Sequence, residues 1–211
     1  MHKTFTAMAL ALVCTLAAAQ PGLKAADKLA TAPQRGTSGV AFSRSDNGGR
    51  PVVCTLDFSA VDRDAAAPRS ALFKATGSFS MLRSDKGPAF ALRLGLFDAT
   101  NPNGPGMAPA EAFLGSLQGK AQVRPKARMD DDTPGYALYL FPFDDSLVDV
   151  WKDMVQEHQL KIGFNRAPRQ RVATVVVDLE AETGGKSVTA VGEMSGCVDE
   201  LLAAAREQLP R

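Results

Sequence analysis

The sequence predicts an α+β domain, mainly antiparallel β in a sandwich-like or curved sheet, with two or three packing helices. Residues 144–179 carry the prediction. They read as an amphipathic helix, a turn and two strongly β-forming runs, and the rest of the chain can pack on them. Asp144 and Asp145 supply an N-cap and first-turn negative charge. Leu147, Val148, Val150, Trp151, Met154 and Val155 then recur at the spacing of one buried helical face. Leu160, Ile162 and Phe164 alternate with Lys161 and Gly163, the period of a half-buried strand, and residues 165–169 contain the Asn and Pro of a connection. The run 171–180 returns as a strand, because Val175, Val176 and Val177 are β-branched and fit a pleated surface better than a helix.

In chain order, residues 1–19 begin with His2 and Lys3, continue through an apolar run from Met8 to Leu16 and end on three alanines. This is the pattern of a secretory leader, and cleavage near Ala19 is expected, with the protein periplasmic or secreted. The apolar run is shorter than the roughly 20 residues that cross a bilayer, so no transmembrane segment is expected. Val13 stands before Cys14 where lipoprotein processing sites carry a small residue, which argues against lipidation. Residues 20–37 are Ala-rich with Pro21, Gly22, Pro33 and Gly36 and read as a flexible lead-in. Residues 38–211 are expected as one exported domain. The chain of 211 residues is 45% hydrophobic, enough for one core.

Basic and acidic residues number 24 and 23, and the leader removes only Lys3. Nucleic-acid binders carry a basic excess to neutralise phosphates, so nucleic acid is not an expected partner. After the leader, two cysteines remain, Cys54 and Cys197. In an exported chain a single pair reads most simply as a disulfide, here tying an early strand to the start of the last helix.

A short strand at 40–43 and a strand at 52–58 flank a turn in which Asn47 and Gly48 are expected to take positive backbone angles. The triplet Ser45–Asp46–Asn47 lacks the companion motifs of penicillin-recognising enzymes. A strand at 71–82, with Phe73, Ala75, Gly77, Phe79 and Met81 on one face, forms a hairpin with 89–97. The Gly/Pro/Asn loop 98–109 lacks the first and twelfth ligands of a calcium loop, since those positions fall on Ala99 and Ala110. Residues 110–117 are expected as a short helix with Phe113, Leu114 and Leu117 on its apolar side. Residues 122–134 carry Arg124, Lys126 and Arg128 ahead of three aspartates and read as a solvated loop. The run 136–141 is a strand, apolar on both faces. After a turn at 183–187, residues 188–192 are expected as a strand and Ser195 as the cap of a final helix. That helix has Asp199 and Glu200 in its first turn and Val198, Leu201, Leu202, Ala205 and Leu209 in one stripe. The Gly185–Lys186–Ser187 tripeptide lacks the first glycine of a phosphate loop, because residue 180 is Glu.

The order helix, strand, turn, strand, closing helix, carried by 143–147, 160–164, 171–179 and 195–202, is similar to the C-terminal half of exported bacterial proteins of the invasion-associated locus B kind. The resemblance covers the last third of the chain, and the family's usual additional cysteines are absent. It implies a small antiparallel β domain with flanking helices, located in the envelope and acting by contact.

Candidate chemistry is sparse. His158 is the sole histidine after the leader, placed at a helix C-terminus where a structural or capping role fits. It excludes sites built from several imidazoles, and no zinc spacing occurs, so neither a metal nor a cofactor is expected. The carboxylate pairs Asp62/Asp64 and Asp178/Glu180 read as solvated. Arg166, Arg169 and Arg171 cluster at the tip of the 160–179 hairpin with no acidic residue between them. Guanidinium forks suit carboxylate and phosphate, so the tip is a candidate site for an acidic partner. The leading expectation is a non-enzymatic binding or interaction role in the envelope. The alternative is a hydrolase using His158 or paired carboxylates.

Overall fold

Ten strands and two helices make up the computed structural model, which describes residues 38–63, 72–84, 87–101, 103–118, 121–169, 171–180 and 190–206. The expected leader, the lead-in, Asp64 and the turn at 183–187 lie outside the described residues.

The first half is a meander whose hydrophobic alternation sets its register. Strands β1 (Ser38–Asn47), β2 (Arg50–Arg63), β3 (Leu72–Ser84) and β4 (Gly87–Asp98) pair antiparallel in sequence order. The β1–β2 hairpin is longer than the sequence indicated, and its positive angles fall on Gly48 and Gly49, at φ 61° and 77°, rather than on Asn47 and Gly48. Leu56, Phe79, Leu92 and Tyr139 stand in one row across β2, β3, β4 and β8 (Tyr136–Phe141). All four side chains are buried, and slipping any strand by one residue would turn its whole apolar set outward. In β8 only Ala137, Tyr139 and Phe141 are fully buried, so one face, not two, is sealed. A short β7 (Ala127–Asp130) closes this six-stranded sheet beyond β8.

The second sheet has the order β10–β9–β5–β6, formed by β10 (Ala173–Asp178), β9 (Gln159–Asn165), β5 (Glu111–Gly115) and β6 (Gln122–Val123). The segment expected as a short helix is therefore strand β5. Phe113, Leu114 and Leu117 fit a helical stripe, but Ala112 and Leu114 also alternate, and pairing with β9 decides for the strand. Gly163 allows the close fit: a Cβ there would lie 2.0 Å from Phe113 Cζ. The expected solvated loop 122–134 contains β6 and β7, because Val123 turns into the core and residues 127–130 pair with β8.

The two sheets share one core, and Phe73 of β3 meets Phe164 of β9 edge to face, with ring centroids 5.4 Å apart. Helix α1 (Asp145–Glu157) begins as the sequence indicates, with Asp144 Oδ1 accepting from Leu147 N at 3.1 Å. It buries Leu147, Val150 and Met154 and sets Trp151 against the stacked pair Phe79 and Phe90. Helix α2 (Ala190–Arg206) starts earlier than expected. Ala190–Gly192 are its first turn rather than a strand, and Ser195 lies within it rather than capping it. Its stripe of Ala190, Val191, Met194, Cys197, Val198 and Leu201 holds helical period throughout, which overrides the β-branched start.

Cys54 of β2 and Cys197 near the middle of α2 form a disulfide, with Cα atoms 6.0 Å apart and a separation of 143 positions in sequence. Arg44 of β1 adds a second tie to α2 through Glu200 at 3.2 Å. No helix among the described residues is long and apolar enough to cross a membrane.

Candidate functional site

The basic tip is set by β9 and β10, whose register runs from Ala173↔Phe164 to Asp178↔Gln159. Beyond Phe164 the chain leaves the ladder, so residues 166–172 form the connection. Arg166 is half-buried, its guanidinium carbon 5.9 Å from the Phe73 ring centroid. Hydrogen bonds from the Thr100 hydroxyl and backbone hold the nearby Asp98 carboxyl below its usual range, and the Arg166 charge adds the smallest part. Arg169 and Arg171 are exposed. Arg169 stands at φ 66°, a left-handed conformation that an L-residue with a long side chain adopts at a cost of about 1 kcal/mol. The structure thus separates the three arginines into one packed against the core edge and two at the surface.

A second basic group lies one strand away at the same end of the four-stranded sheet. Glu111 pairs with Asn165, the residue before the tip, and its carboxylate accepts from Asn165 Nδ2 at 3.1 Å and lies 4.0 Å from Arg124. From there Arg124, Lys126 and Arg128 line a cleft of about 250 Å³ together with Ala110, Ala112 and Tyr139. The chain passes from one sheet to the other along this wall. Lys126 N donates to Leu140 O at 2.7 Å, fixing the backbone beneath the lysine. Arg128 Nε donates to Pro109 O at 3.2 Å, and its Nη1 lies 2.7 Å from Asp130. The Tyr139 hydroxyl donates to the same Pro109 carbonyl, and burial pushes its ionisation upward. Sequence reading passed over this group because mixed charge resembles a solvated loop. The overlooked signal was the spacing of two: in an extended segment Arg124, Lys126 and Arg128 share one side.

The outward face of the larger sheet carries a polar network. Arg93 donates to Asp131 from Nε at 2.7 Å and Nη2 at 3.1 Å, and its guanidinium covers the Tyr136 ring. The Tyr136 and Thr76 hydroxyls share a hydrogen bond at 2.7 Å. Asp57 lies on the same face, nearly buried, and burial pushes its carboxyl up against the opposing pull of Arg93 and a hydrogen bond from Ser43. Ser43 with Asp57, Thr76 with Tyr136 and Arg93 with Asp131 are thus paired across this face, as shielded polar groups require.

His158 is the left-handed C-cap of α1, at φ 52°, and its Nδ1 lies 2.9 Å from Glu180 Oε1. Leu179 N donates to His158 O at 2.8 Å, so the residue fastens the end of α1 to the end of β10. Asp178 Oδ1 accepts from Glu180 N at 3.0 Å, a local turn contact. Asp62 belongs to β2, and its expected companion Asp64 lies outside the described residues. Among the described residues no three His, Cys, Asp or Glu side chains converge as a metal site would require.

No family model, curated protein or solved structure matches the chain.

Proposed function

We propose that the protein is an exported binding module of the bacterial envelope, without catalytic activity, that engages an acidic partner through the tip between β9 and β10. The observation that carries the reading is the division of labour among the tip arginines. Arg166 packs over Phe73 and anchors the connection, while Arg169 and Arg171 stand exposed, one of them in a conformation that costs free energy. Backbone strain that persists at a surface turn is a reason to ask what the turn presents. The leader-like start of the sequence and the Cys54–Cys197 disulfide support an oxidising compartment outside the cytoplasm. The similarity of the last third to invasion-associated locus B-like proteins belongs to the same proposal, since it implies action by contact in the envelope.

The test is binding of the mature domain to lipopolysaccharide at low salt, comparing the parent with a variant in which the two exposed arginines, Arg169 and Arg171, are both serine and Arg166 is kept. The variant should fold, because exposed turn residues contribute little to stability, and it should bind more weakly. Equal binding by a folded variant removes the tip from the account.

A further inference from the structure

The cleft walled by Arg124, Lys126 and Arg128 has features that a solubilising surface does not need. Three cations line one depression and only one carboxylate, Glu111, lines it with them. That carboxylate is already occupied by Asn165 Nδ2 and by Arg124. Arg128 is held in place by Pro109 O and Asp130, and the floor is fixed by the Tyr139 bond to the same carbonyl. Lys126 is exposed, its ammonium has no ion-pair partner among the described residues, and its backbone is pinned to Leu140. One wall residue is therefore pre-oriented by hydrogen bonds, one is shared with Glu111, and one is available. Pre-oriented cations lose little freedom when an anion arrives, which is what separates a binding cleft from scattered surface charge.

We propose that this cleft is a binding site for a small anionic group, a phosphate or a carboxylate, with Lys126 making the primary ion pair and Arg124 and Arg128 supplying donors from either side. A volume of about 250 Å³ admits a phosphate or a short dicarboxylate and falls below the range usual for drug-sized ligands. The lining excludes cations by charge. The site is distinct from the tip: it would bind small anions even if Arg169 and Arg171 contact nothing, so the two readings fail separately.

The experiment is a titration of the 15N-labelled mature domain with inorganic phosphate and, in a second arm, with succinate, at constant ionic strength. Saturable shifts centred on the amides of residues 111–112 and 124–128 are expected, and the arm with the tighter response identifies the preferred group. Lys126→Ala leaves every bond named above intact. It should weaken binding about tenfold, as loss of one charge-assisted contact does, and adding Arg124→Ser should abolish saturation. The Arg169→Ser/Arg171→Ser variant should titrate like the parent. Shifts that are linear and spread over the surface, that centre on the tip, or that persist unchanged in Lys126→Ala would overturn the proposal.

Discussion

Arg93 meets Asp131 side-on, through Nε and Nη2, with two hydrogen bonds 2.7 and 3.1 Å long, while the face of its guanidinium lies 3.9 Å from the centroid of the Tyr136 ring. Both charged side chains are largely shielded, 11% and 17% exposed. The pair joins the middle of the large sheet to the turn that follows β7. Removing one partner strands the other in a poorly solvated place. Asp131→Ala should therefore destabilise the domain by about 2–4 kcal/mol, at the scale of breaking a shielded pair. Arg93→Met/Asp131→Ala together should cost less than the sum of the single changes. Urea unfolding of the four proteins measures the coupling, and strict additivity would show that the pair contributes nothing of its own.

The same face sets a pH dependence. Burial, only partly offset by Arg93 and Ser43, raises the Asp57 carboxyl in the folded state. Folding therefore favours its protonated form, and stability rises as pH falls through the folded value of Asp57 toward the unfolded one. Asp131 behaves oppositely. Burial works to raise it, but the Arg93 and Thr133 hydrogen bonds prevail and hold it low. Its contribution is present above the unfolded carboxylate value of about 4 and is lost as pH falls through its lower folded value. Asp57→Asn should stabilise the domain at pH 7 and remove the rise that the parent shows as Asp57 takes up its proton. A variant that is no more stable than the parent at pH 7 would contradict the assignment.

Helix α1, strands β9 and β10 and both hairpins of the meander were legible because local pattern and tertiary demand agree there. Asp144 caps, Trp151 and Met154 keep helical period, and Val175 and Val177 alternate inward. Strand β5 was not legible, since Phe113, Leu114 and Leu117 satisfy a helix equally well until β9 offers its backbone. The start of α2 was hidden by Val188 and Val191, whose branching favours strands, and by Ser195, which has the chemistry of a cap but lies inside the helix. Of the candidate surfaces, the tip was visible as three arginines in six residues. The cleft was not, because β6 and β7 are too short to announce themselves and exist only through their partners β5 and β8.

Gly77 of β3 faces Arg93 so closely that a Cβ would lie 1.8 Å from the Arg93 carbonyl oxygen, a backbone atom that cannot move alone. Gly77→Ala should cost about 3 kcal/mol or more by forcing β3 and β4 apart, at the upper end of overpacking penalties. Gly48→Ala meets no atom within 4 Å and pays only the cost of a positive φ, so it should be the milder change. Thermal melts that rank the two variants the other way would show that the β3–β4 contact is looser than described.

The disulfide closes a 143-residue separation, and loop-closure entropy gives it an upper value of about 5 kcal/mol. Cys54→Ser/Cys197→Ser should lower the unfolding free energy measured in urea by up to that amount, and added reductant should shift the parent toward the variant without affecting the variant itself. Mass spectrometry of non-reduced peptides from exported protein should find residues 54 and 197 in one cross-linked species.

Arg169 offers the most direct test of the account, because its backbone and its charge make opposite claims on the molecule. Arg169→Gly relieves a left-handed L-residue and should raise stability by roughly 0.5–1 kcal/mol. If the tip is a contact surface, the same change should weaken binding to lipopolysaccharide at low salt, with the loss shrinking as salt is added. Stability and binding measured on one preparation should therefore move in opposite directions. A variant that is more stable and binds as tightly as the parent would contradict the claim that the β9–β10 tip is where this protein meets its partner.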